Sequence, residues 1–217
     1  AGAITLVGAA TGITGEVSSS NSLVGSAVDD RVGNSFFINL GSGKYFTHTT
    51  DWGANAGALT WIDTAAAALT GPLTTNNSLL GSAAGDRLGS DGIANLFNGK
   101  RLVISPRWNG NRGAVTWFDD ATGTFGFISS ANSLVGTTVG DFVGDDSFTT
   151  LGSKVAIFSS KWNNGAATLA GAITWADSSA GITGGVSSSN SLVGTTANDS
   201  VGLNGITFTT GSSYLVR

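Results

Sequence analysis

Short runs of β-branched and aromatic residues, separated by polar turn residues, dominate the chain. Residues 101–105, 114–118 and 154–158 are three of these runs, each bounded by Gly, Asn, Asp or Ser. Their apolar positions follow a period of 2 rather than the 3.6 of an amphipathic helix, which is typical of β-strands. Asn98-Gly99 lies between two runs and predicts a type I′ hairpin turn, in which both central residues have positive φ. Turn-forming residues stand at the equivalent positions 41–43, 152–153 and 211–213.

Two sequence blocks recur in step along the chain. The first, Asn-Ser-Leu followed by Val or Leu and then Gly, returns at intervals of 56, 55 and 58 residues, starting at Asn21, Asn77, Asn132 and Asn190. The second, Gly-Ala-aliphatic-Thr-Trp, starts at Gly57, Gly113 and Gly171 and, with Leu in place of Trp, at Gly2. A fixed period of this length indicates a repeat architecture. We therefore expect a single repeat domain over residues 1–217, with four repeats at approximately 21–76, 77–131, 132–189, and 190–217 completed by 1–20.

Each repeat predicts four antiparallel strands, which is typical of one blade of a β-propeller. The chain ends after the first two strands of a repeat and begins with the third, so strands from both ends can pair to complete the last blade. This pairing closes the ring and removes its open edges. We therefore predict an all-β fold, a β-propeller of four four-stranded blades. A β-solenoid is the alternative, but its coils usually take about 20 to 30 residues, so each repeat would have to hold two coils.

The composition narrows the possible functions. The chain has no Cys, which excludes disulfides, thiolate metal sites and cysteine nucleophiles, and His48 is its only histidine. A net charge of −4 argues against a nucleic-acid partner, which needs a clustered basic surface. The sequence contains no run of 18 apolar residues, so no membrane-spanning helix is predicted. A hydrophobic content of 41%, with 6 Trp and 11 Phe, is nevertheless enough to build a core.

Residues 103–117, with Gly-Asp-Arg-Leu-Gly at 85–89 upstream, resemble the integrin-type FG-GAP propeller blade. That blade has a Gly-Asp start, a strand that ends in a Pro-aromatic turn, and a Gly-x-Val-aromatic strand. The resemblance implies a propeller fold. Calcium-binding members of the family carry an Asp-rich loop, whereas residues 97–100 are Phe-Asn-Gly-Lys and offer no ligand set. We therefore expect no metal ion and no other cofactor.

The whole repeat also resembles the tandem repeats of very large exported bacterial proteins of the filamentous-haemagglutinin or adhesin type. This resemblance implies an extracellular or bacterial cell-surface location and a non-enzymatic structural or adhesive role, in which repeats self-associate with neighbouring repeats. The absence of Cys and Met suits an exported protein, because few side chains can be oxidised. Residues 1–5 show no signal-peptide pattern, so we expect a mature or excised segment.

A third motif, Asp-x-apolar-Gly, recurs in every repeat. Its Asp lies five residues after the Gly of the Asn-Ser-Leu-x-Gly block, at Asp30, Asp86, Asp141 and Asp199. These carboxylates could in principle bind calcium or act in catalysis. An active site usually breaks the symmetry of a repeat, whereas this Asp recurs in every copy. We therefore interpret the four as structural turn residues that accept hydrogen bonds from nearby backbone N–H groups. The Gly three residues later is expected in a conformation closed to other residues.

The six tryptophans fall into two sets. One set ends the second block and is predicted to lie in the core, at Trp61, Trp117 and Trp175. The other lies in loops rich in Asn and Gly, at Trp52, Trp108 and Trp162, where Asn109 and Asn163 follow the last two. An aromatic ring beside amide groups is typical of a surface that stacks sugar rings, although the indole can also fold back as a cap. These five residues are the candidate ligand site, and a lectin-like propeller that binds glycans or host-surface molecules at several loops is the alternative function.

The remaining polar residues do not predict catalysis. His48 lies at a strand end, and aligning the repeats gives Ser105 and about Ser159 as its counterparts, so the histidine is peculiar to one repeat. The acidic pairs at 119–120 and 145–146 are interpreted as solvated turns, not as the two carboxylates of a glycosidase. We therefore predict no catalytic residue.

Overall fold

The computed structural model describes residues 1–65, 69–209 and 213–216. This part of the chain holds nineteen β-strands and two four-residue helical turns, so the prediction of an all-β protein is confirmed. The helical turns are α1 (Trp52–Asn55) and α2 (Trp108–Asn111), and each contains three residues with positive φ, so they are wound loops rather than regular helices. No described helix is long and apolar enough to cross a membrane.

The chain forms two compact bodies, one of residues 1–89 and 118–127 and the other of residues 90–117 and 128–217. The strands of the first body are β1 (Ala3–Ile4), β2 (Leu23–Val24), β3 (Phe37–Gly41), β4 (Lys44–Thr49), β5 (Ala58–Asp63), β6 (Gly71–Pro72), β7 (Ser78–Leu80) and β11 (Gly126–Phe127). The second body contains β8 (Ile93–Asn95), β9 (Lys100–Ser105), most of β10 (Ala114–Asp119), β12 (Ser133–Val135), β13 (Phe148–Leu151), β14 (Lys154–Ser159), β15 (Ala172–Asp177), β16 (Gly184–Gly185), β17 (Ser191–Val193), β18 (Ile206–Phe208) and β19 (Tyr214–Val216). The single domain over residues 1–217 stays a prediction.

One repeat folds into a four-stranded antiparallel meander. In the first body β3, β4, β5 and β7 have the same order in the sheet as in the chain. Strands β4 and β5 pair over their whole length, from Lys44 opposite Asp63 to Thr49 opposite Ala58. In the second body the same order recurs in β8, β9, β10, β12 and again in β13, β14, β15, β17. The first three strands of each meander form where the period-2 pattern predicts them, whereas the fourth is the Asn-Ser-Leu block itself and not the segment before it, where the sequence predicted a strand.

A two-residue strand that precedes the next Asn-Ser-Leu block extends three of the sheets. Strands β6, β11 and β16 run parallel to β2, β7 and β12, with Leu23 opposite Gly71, Leu79 opposite Gly126, and Leu134 opposite Gly184. The sequence predicted a strand in this segment as the fourth strand of a blade, but the segment pairs in parallel with the preceding Asn-Ser-Leu strand instead. Successive repeats are thus joined by backbone hydrogen bonds as well as by the chain itself.

The hairpin turns form where the sequence places them. Residues 41–43 connect β3 to β4, residues 152–153 connect β13 to β14, and Asn98-Gly99 lies in the connection of β8 to β9. The type I′ geometry is wrong for the last turn, because Phe97 (φ 60°) and Gly99 (φ 81°) have positive φ and Asn98 does not. The Asn95 side chain accepts the Phe97 N–H at 2.8 Å and supports this longer turn. Residues 211 and 212 of the fourth predicted turn lie outside the described residues.

The two ends of the chain lie in separate sheets. Strand β1 belongs to a three-stranded sheet with β2 and β6, whereas β18 and β19 form a two-stranded antiparallel sheet. Within the described ranges no sheet closes on itself. A last blade completed by strands from both ends therefore stays a prediction, and so does the closed propeller.

The repeated blocks supply the core of each body. In the first body one buried cluster contains Leu23, Val32, Ala58, Ile62, Leu73 and Leu80. In the second body the largest buried cluster includes Leu102, Val115, Leu134, Val143, Val155 and Ile157. The Leu of the Asn-Ser-Leu block and the apolar residue after the recurring Asp occur in both clusters. Each such side chain contributes about 1.5–3 kcal/mol when it is fully buried, so the blocks stabilise both bodies.

Candidate functional site

The recurring Asp closes a tight turn after each Asn-Ser-Leu-x-Gly block. Asp141 is fully buried, and its Oδ2 accepts hydrogen bonds from the backbone N–H groups of Thr137 and Thr138, both at 2.8 Å. Asp30, Asp86 and Asp199 accept the equivalent pair of N–H groups at 2.7–2.9 Å. A carboxylate that accepts two backbone N–H groups makes strong, charge-assisted bonds. This is the geometry that a structural turn residue requires.

The second carboxylate oxygen of this Asp reaches a tryptophan loop. Asp30 Oδ1 accepts the Gly53 N–H at 3.0 Å. Asp141 Oδ1 accepts both the backbone N–H of Asn163 at 3.1 Å and its Nδ2 at 2.8 Å. On the other side of the turn, the Val143 N–H donates to Arg112 O at 3.0 Å. The Asp141 turn therefore ties together two loops that are distant in sequence.

The residue after the Asp has an unusual backbone conformation in every repeat. Arg31, Arg87, Phe142 and Ser200 all have φ between 46° and 49°, in the left-handed region. A non-glycine residue in this region costs about 1–3 kcal/mol and persists only where its surroundings hold it. The Phe142 N–H donates to Asn111 O and the Ser200 N–H to Leu169 O, both at 3.0 Å. The Gly two residues later also has positive φ, as expected, at Gly33, Gly89, Gly144 and Gly202.

The loop tryptophans do not present their rings to solvent. Trp108 and Trp162 are buried and Trp52 is half-buried, and their Nε1 atoms lie in the interior without a hydrogen-bond partner. Asn163 uses both of its amide groups internally, because Nδ2 donates to Asp141 and Oδ1 accepts the Leu169 N–H at 3.1 Å. Only Asn109 of the candidate ligand residues is exposed. In this conformation the rings act as caps, and a sugar cannot stack on Trp108 or Trp162.

The strand tryptophans lie where the sequence analysis did not expect them. Trp61, Trp117 and Trp175 are half-buried, and Trp117 and Trp175 pack against core clusters of the second body, so these two lie at the edge of the core rather than inside it. In β5 Thr60 and Ile62 are buried on one face, and Trp61 and Asp63 are half-buried on the other face, which also carries the buried Leu59. Trp61 is nevertheless well contacted, because its Nε1 donates to Asp120 O at 3.1 Å and its ring meets the edge of Phe125 at 6.2 Å between centroids. A cavity of about 260 Å³ beside this ring is also lined by Asp63, Asn76 and Asn77.

A relay of three polar residues explains why Thr points inward. Thr60 Oγ1 and Ser78 Oγ lie 2.8 Å apart, and both side chains are fully buried. Ser78 Oγ donates to Asn77 Oδ1 at 3.0 Å, so the Thr60 hydroxyl must donate to Ser78. Asn77 Oδ1 also accepts the Thr74 N–H at 2.8 Å. The corresponding Thr-Ser and Ser-Asn contacts recur in the other repeats, at Thr5, Ser22 and Asn21, at Thr116, Ser133 and Asn132, and at Thr174, Ser191 and Asn190. The sequence analysis recognised both blocks but not the hydrogen bonds that join them.

The acidic pairs take part in local bonds. Asp119 Oδ1 accepts the N–H groups of Ala121 and Thr122 at 2.8 and 3.0 Å. Asp145 accepts a hydrogen bond from the Lys161 ammonium, which raises the pKa of Lys161, and Asp146 accepts the Ser160 N–H. A shallow cavity of about 310 Å³ beside Asp145 is lined mainly by backbone and apolar side chains. No group of three or more His, Asp or Glu side chains that could hold a metal ion occurs among the described residues.

His48 is a buried residue of β4. Its Nε2 lies 2.6 Å from Leu88 O, and because a carbonyl oxygen only accepts, Nε2 carries the proton. Burial lowers the pKa of His48 below its usual 6.5, and the hydrogen bond to Leu88 opposes this shift. The strand register changes the residues that correspond to His48 in the other repeats. Thr49 pairs with Ala58 and Ser159 pairs with Ala172, and both Ala residues are the second residue of the Gly-Ala-x-Thr-Trp block, so Thr49 and Ser159 are equivalent. His48, one residue earlier, therefore corresponds to Phe158 rather than Ser159. By the same numbering its counterpart in β9 is Ile104 rather than Ser105, which makes His48 a core position.

A groove beside the first tryptophan loop carries several charged and amide side chains. It has a volume of about 460 Å³ and is lined by Asp29, Arg31, Asp51 and Asn55, among others. Arg31 and Asp51 form an ion pair at 3.5 Å. Charged and amide groups therefore converge on one open surface of α1, although the ring of Trp52 is not part of it.

Comparison with known families finds one family model that matches the chain four times. It is described as a repeat of unknown function (DUF5650) and covers residues 1–34, 39–90, 95–145 and 155–203. Each match ends just after the Asp-x-apolar-Gly motif. No curated protein matches the chain.

Proposed function

We propose that this chain, which belongs to the DUF5650 repeat family, is a non-enzymatic structural or adhesive repeat module of a bacterial surface or secreted protein. The observation that carries the proposal is the use of its recurring polar residues. Asp141 and the Thr-Ser-Asn relay direct their hydrogen bonds to the protein's own backbone and side chains. Buried polar groups that are fully satisfied make a fold rigid and specific, but they are not available to a substrate.

The test of this function is the location of the chain in cells that produce it. An antibody against residues 1–217 is expected to label intact cells or the medium, and external protease is expected to remove the cell-bound signal. A cytoplasmic protein assayed in parallel controls for lysis. Labelling that requires broken cells would overturn the proposal.

For the architecture we propose propeller-type blades connected in series. The four-stranded antiparallel meander of each full repeat supports blades over solenoid coils. Within the described residues no sheet closes on itself, so an open series and a closed four-bladed propeller are the two arrangements to be distinguished. Small-angle X-ray scattering separates these arrangements: an elongated particle supports the open series, whereas a compact disc supports the closed four-bladed propeller.

Glycan binding is the second candidate function, and the groove of Asp29, Arg31, Asp51 and Asn55 is the observation that favours it. Charged and amide side chains of this kind can hydrogen-bond the hydroxyls of a sugar. The test is a glycan array followed by titration with any oligosaccharide that binds. Arg31→Ala is expected to weaken binding, and Arg87→Ala is the matched control, because Arg87 follows the recurring Asp in the next repeat with nearly the same φ. An array without signal, or equal effects of the two variants, would exclude this groove as the glycan site.

A further inference from the structure

One cavity of the first body is lined by residues that break the repeat pattern. It has a volume of about 260 Å³ and is bordered by the half-buried ring of Trp61 and by Phe125 and Asn76. Phe125 precedes the Gly of its two-residue strand, where the equivalent residues are Thr14, Thr70 and Thr183. Asn76 precedes the Asn-Ser-Leu-x-Gly block, where the equivalent residues are Ser20, Ala131 and Ser189. Residues that maintain the fold recur in every repeat, so two departures at one cavity point to a role that only this repeat has.

The aromatic wall of the cavity is held in place by the backbone around it. Trp61 Nε1 donates to Asp120 O at 3.1 Å, and a Cβ on Gly123 would lie 3.0 Å from Trp61 Cγ. Strand β11, which directly follows Phe125, pairs with β7. The Phe125 ring therefore stands edge-on to Trp61, with 6.2 Å between the ring centroids. Such a preorganised wall loses little conformational freedom when a ligand binds.

The polar side chains of the cavity differ in whether they are already engaged. Asn77 uses its whole amide internally, because Nδ2 donates to Pro72 O and Oδ1 accepts the Thr74 N–H. Asn76 is exposed and Thr70 is half-buried, and neither side chain makes a hydrogen bond to another described residue. The Asn76 amide and the Thr70 hydroxyl both donate and accept hydrogen bonds. These two side chains are therefore available to a polar ligand.

Asp63 is the acidic residue that lines the cavity, and its charge is balanced. Asp63 Oδ2 forms an ion pair with Lys44 Nζ at 3.6 Å, and Oδ1 accepts the Ala65 N–H at 3.0 Å. Lys44 Nζ also lies 5.8 Å from the centre of the Trp61 ring. Because the pair has no net charge, it favours neither a cation nor an anion. The chemistry of the cavity thus fits a neutral ligand with both apolar and hydroxyl groups.

We propose that this cavity binds one neutral sugar ring of a glycan. The C–H groups of the sugar contact Trp61 and Phe125. Its hydroxyls form hydrogen bonds with Asn76 and Thr70. Pockets for drug-sized ligands have volumes of about 300–1,000 Å³, so a cavity of about 260 Å³ suits a single ring. The cavity shares no lining residue with the groove of Arg31, and the proposal goes beyond the structural function, which needs no ligand.

NMR titration of isotope-labelled protein with the methyl glycosides of glucose, galactose, mannose and N-acetylglucosamine tests the site. Each tryptophan gives a separate indole N–H signal, and Trp61→Phe identifies the signal of Trp61. We expect at least one glycoside to shift this signal, with a Kd on the order of 1 mM because the ligand is small. The indole signals of the buried Trp108 and Trp162 are expected to stay unchanged and serve as internal controls.

Variants that restore the repeat pattern give the sharpest outcome. Asn76→Ser and Phe125→Thr introduce residues that other repeats carry at these positions, so both are expected to fold. We expect Asn76→Ser to weaken binding about two- to tenfold, which is the contribution of one hydrogen bond. Phe125→Thr removes an aromatic contact and is expected to weaken binding about tenfold. Ala131→Ser is the matched control, because Ala131 is exposed and equivalent to Asn76, and it is expected to bind like the natural chain.

Three results would overturn the sugar site. The first is an unchanged Trp61 signal with all of the glycosides, and the second is binding by Asn76→Ser and Phe125→Thr that equals that of the natural chain. The third is a loss of binding in Arg31→Ala, which would assign the sugar to the groove of Arg31 instead. None of these results would change the labelling of intact cells, so the structural function is judged separately.

Discussion

The third and fourth repeats place the same Asp turn in different surroundings. Asp141 is fully buried and accepts four hydrogen bonds, two within its turn and two from Asn163 in the next tryptophan loop. Asp199 is exposed, and within the described residues it accepts only the two N–H groups of Thr195 and Thr196. The turn itself is equally well formed in both repeats.

This difference distinguishes the hydrogen bonds that a repeat forms by itself from the hydrogen bonds and burial that the neighbouring repeat provides. The local sequence is enough to form the turn, because Asp199 makes the same two bonds as Asp141 without being buried. Burial and the second pair of bonds come from a loop that follows in the chain. The stability of repeat proteins is approximately a sum of such intrinsic terms and nearest-neighbour terms. Equivalent substitutions in the two repeats therefore measure the neighbour's contribution.

The largest effect is expected from Asp141→Ala. The variant leaves the backbone N–H groups of Thr137, Thr138 and Asn163 without their acceptor, and each bond to a charged group contributes about 1.5–3 kcal/mol. We expect the free energy of unfolding to fall by about 3 kcal/mol or more, since the bonds are not independent. Asp199→Ala is the matched control and is expected to cause a clearly smaller loss, because water can replace its carboxylate. Urea unfolding curves with unchanged slopes measure both, and equal losses would contradict a neighbour contribution.

A smaller effect is expected from breaking the Thr-Ser-Asn relay. Ser133→Ala removes a fully buried hydroxyl that contacts Thr116 at 2.6 Å and donates to Asn132 at 2.9 Å. Two buried groups lose a partner, so we expect a loss of about 1–3 kcal/mol. Ser191→Ala makes the same change in the last repeat, where the serine is only half-buried, and is expected to cost less. Thermal unfolding of the two variants side by side checks this order, and a larger loss for Ser191→Ala would contradict it.

The sequence predicts the local part of this structure well. Strands, hairpins and four repeats follow from the period of 2 and from blocks that recur almost unchanged, since both are properties of adjacent residues. A strand at β6, β11 and β16 was predicted, but its parallel pairing could not be, because the partner is an Asn-Ser-Leu strand far back in the chain. The same limit applies to the Asp141 carboxylate. Its two bonds within the turn follow from local sequence, but its bonds to Asn163 do not.

The tryptophans show where a simple hydrophobicity rule fails. In Gly-Ala-x-Thr-Trp the larger apolar residue was expected inside, yet Thr60 is buried and Trp61 is half-buried. Burying a hydroxyl costs little when it is hydrogen-bonded, and Ser78 provides that bond. One strand face is therefore set by the relay, and alternation then places Trp61 on the opposite face. The loop tryptophans fill the interior although their Nε1 atoms gain no partner there.

The effect of burying His48 can be measured through the pH dependence of the free energy of unfolding, without removing a hydrogen bond. Its pKa lies below 6.5 in the folded protein because burial disfavours the imidazolium, so the unfolded chain binds the proton first as the pH falls. As the pH falls below about 6.5, the free energy of unfolding is therefore expected to decrease, and this loss does not occur at pH 8. His48→Phe introduces the residue found at the equivalent Phe158 and is expected to remove this part of the pH dependence. The acidic groups are identical in both proteins, so the difference between their urea unfolding free energies at pH 8 and pH 5 isolates His48. Parallel pH profiles would show that the buried imidazole does not control stability.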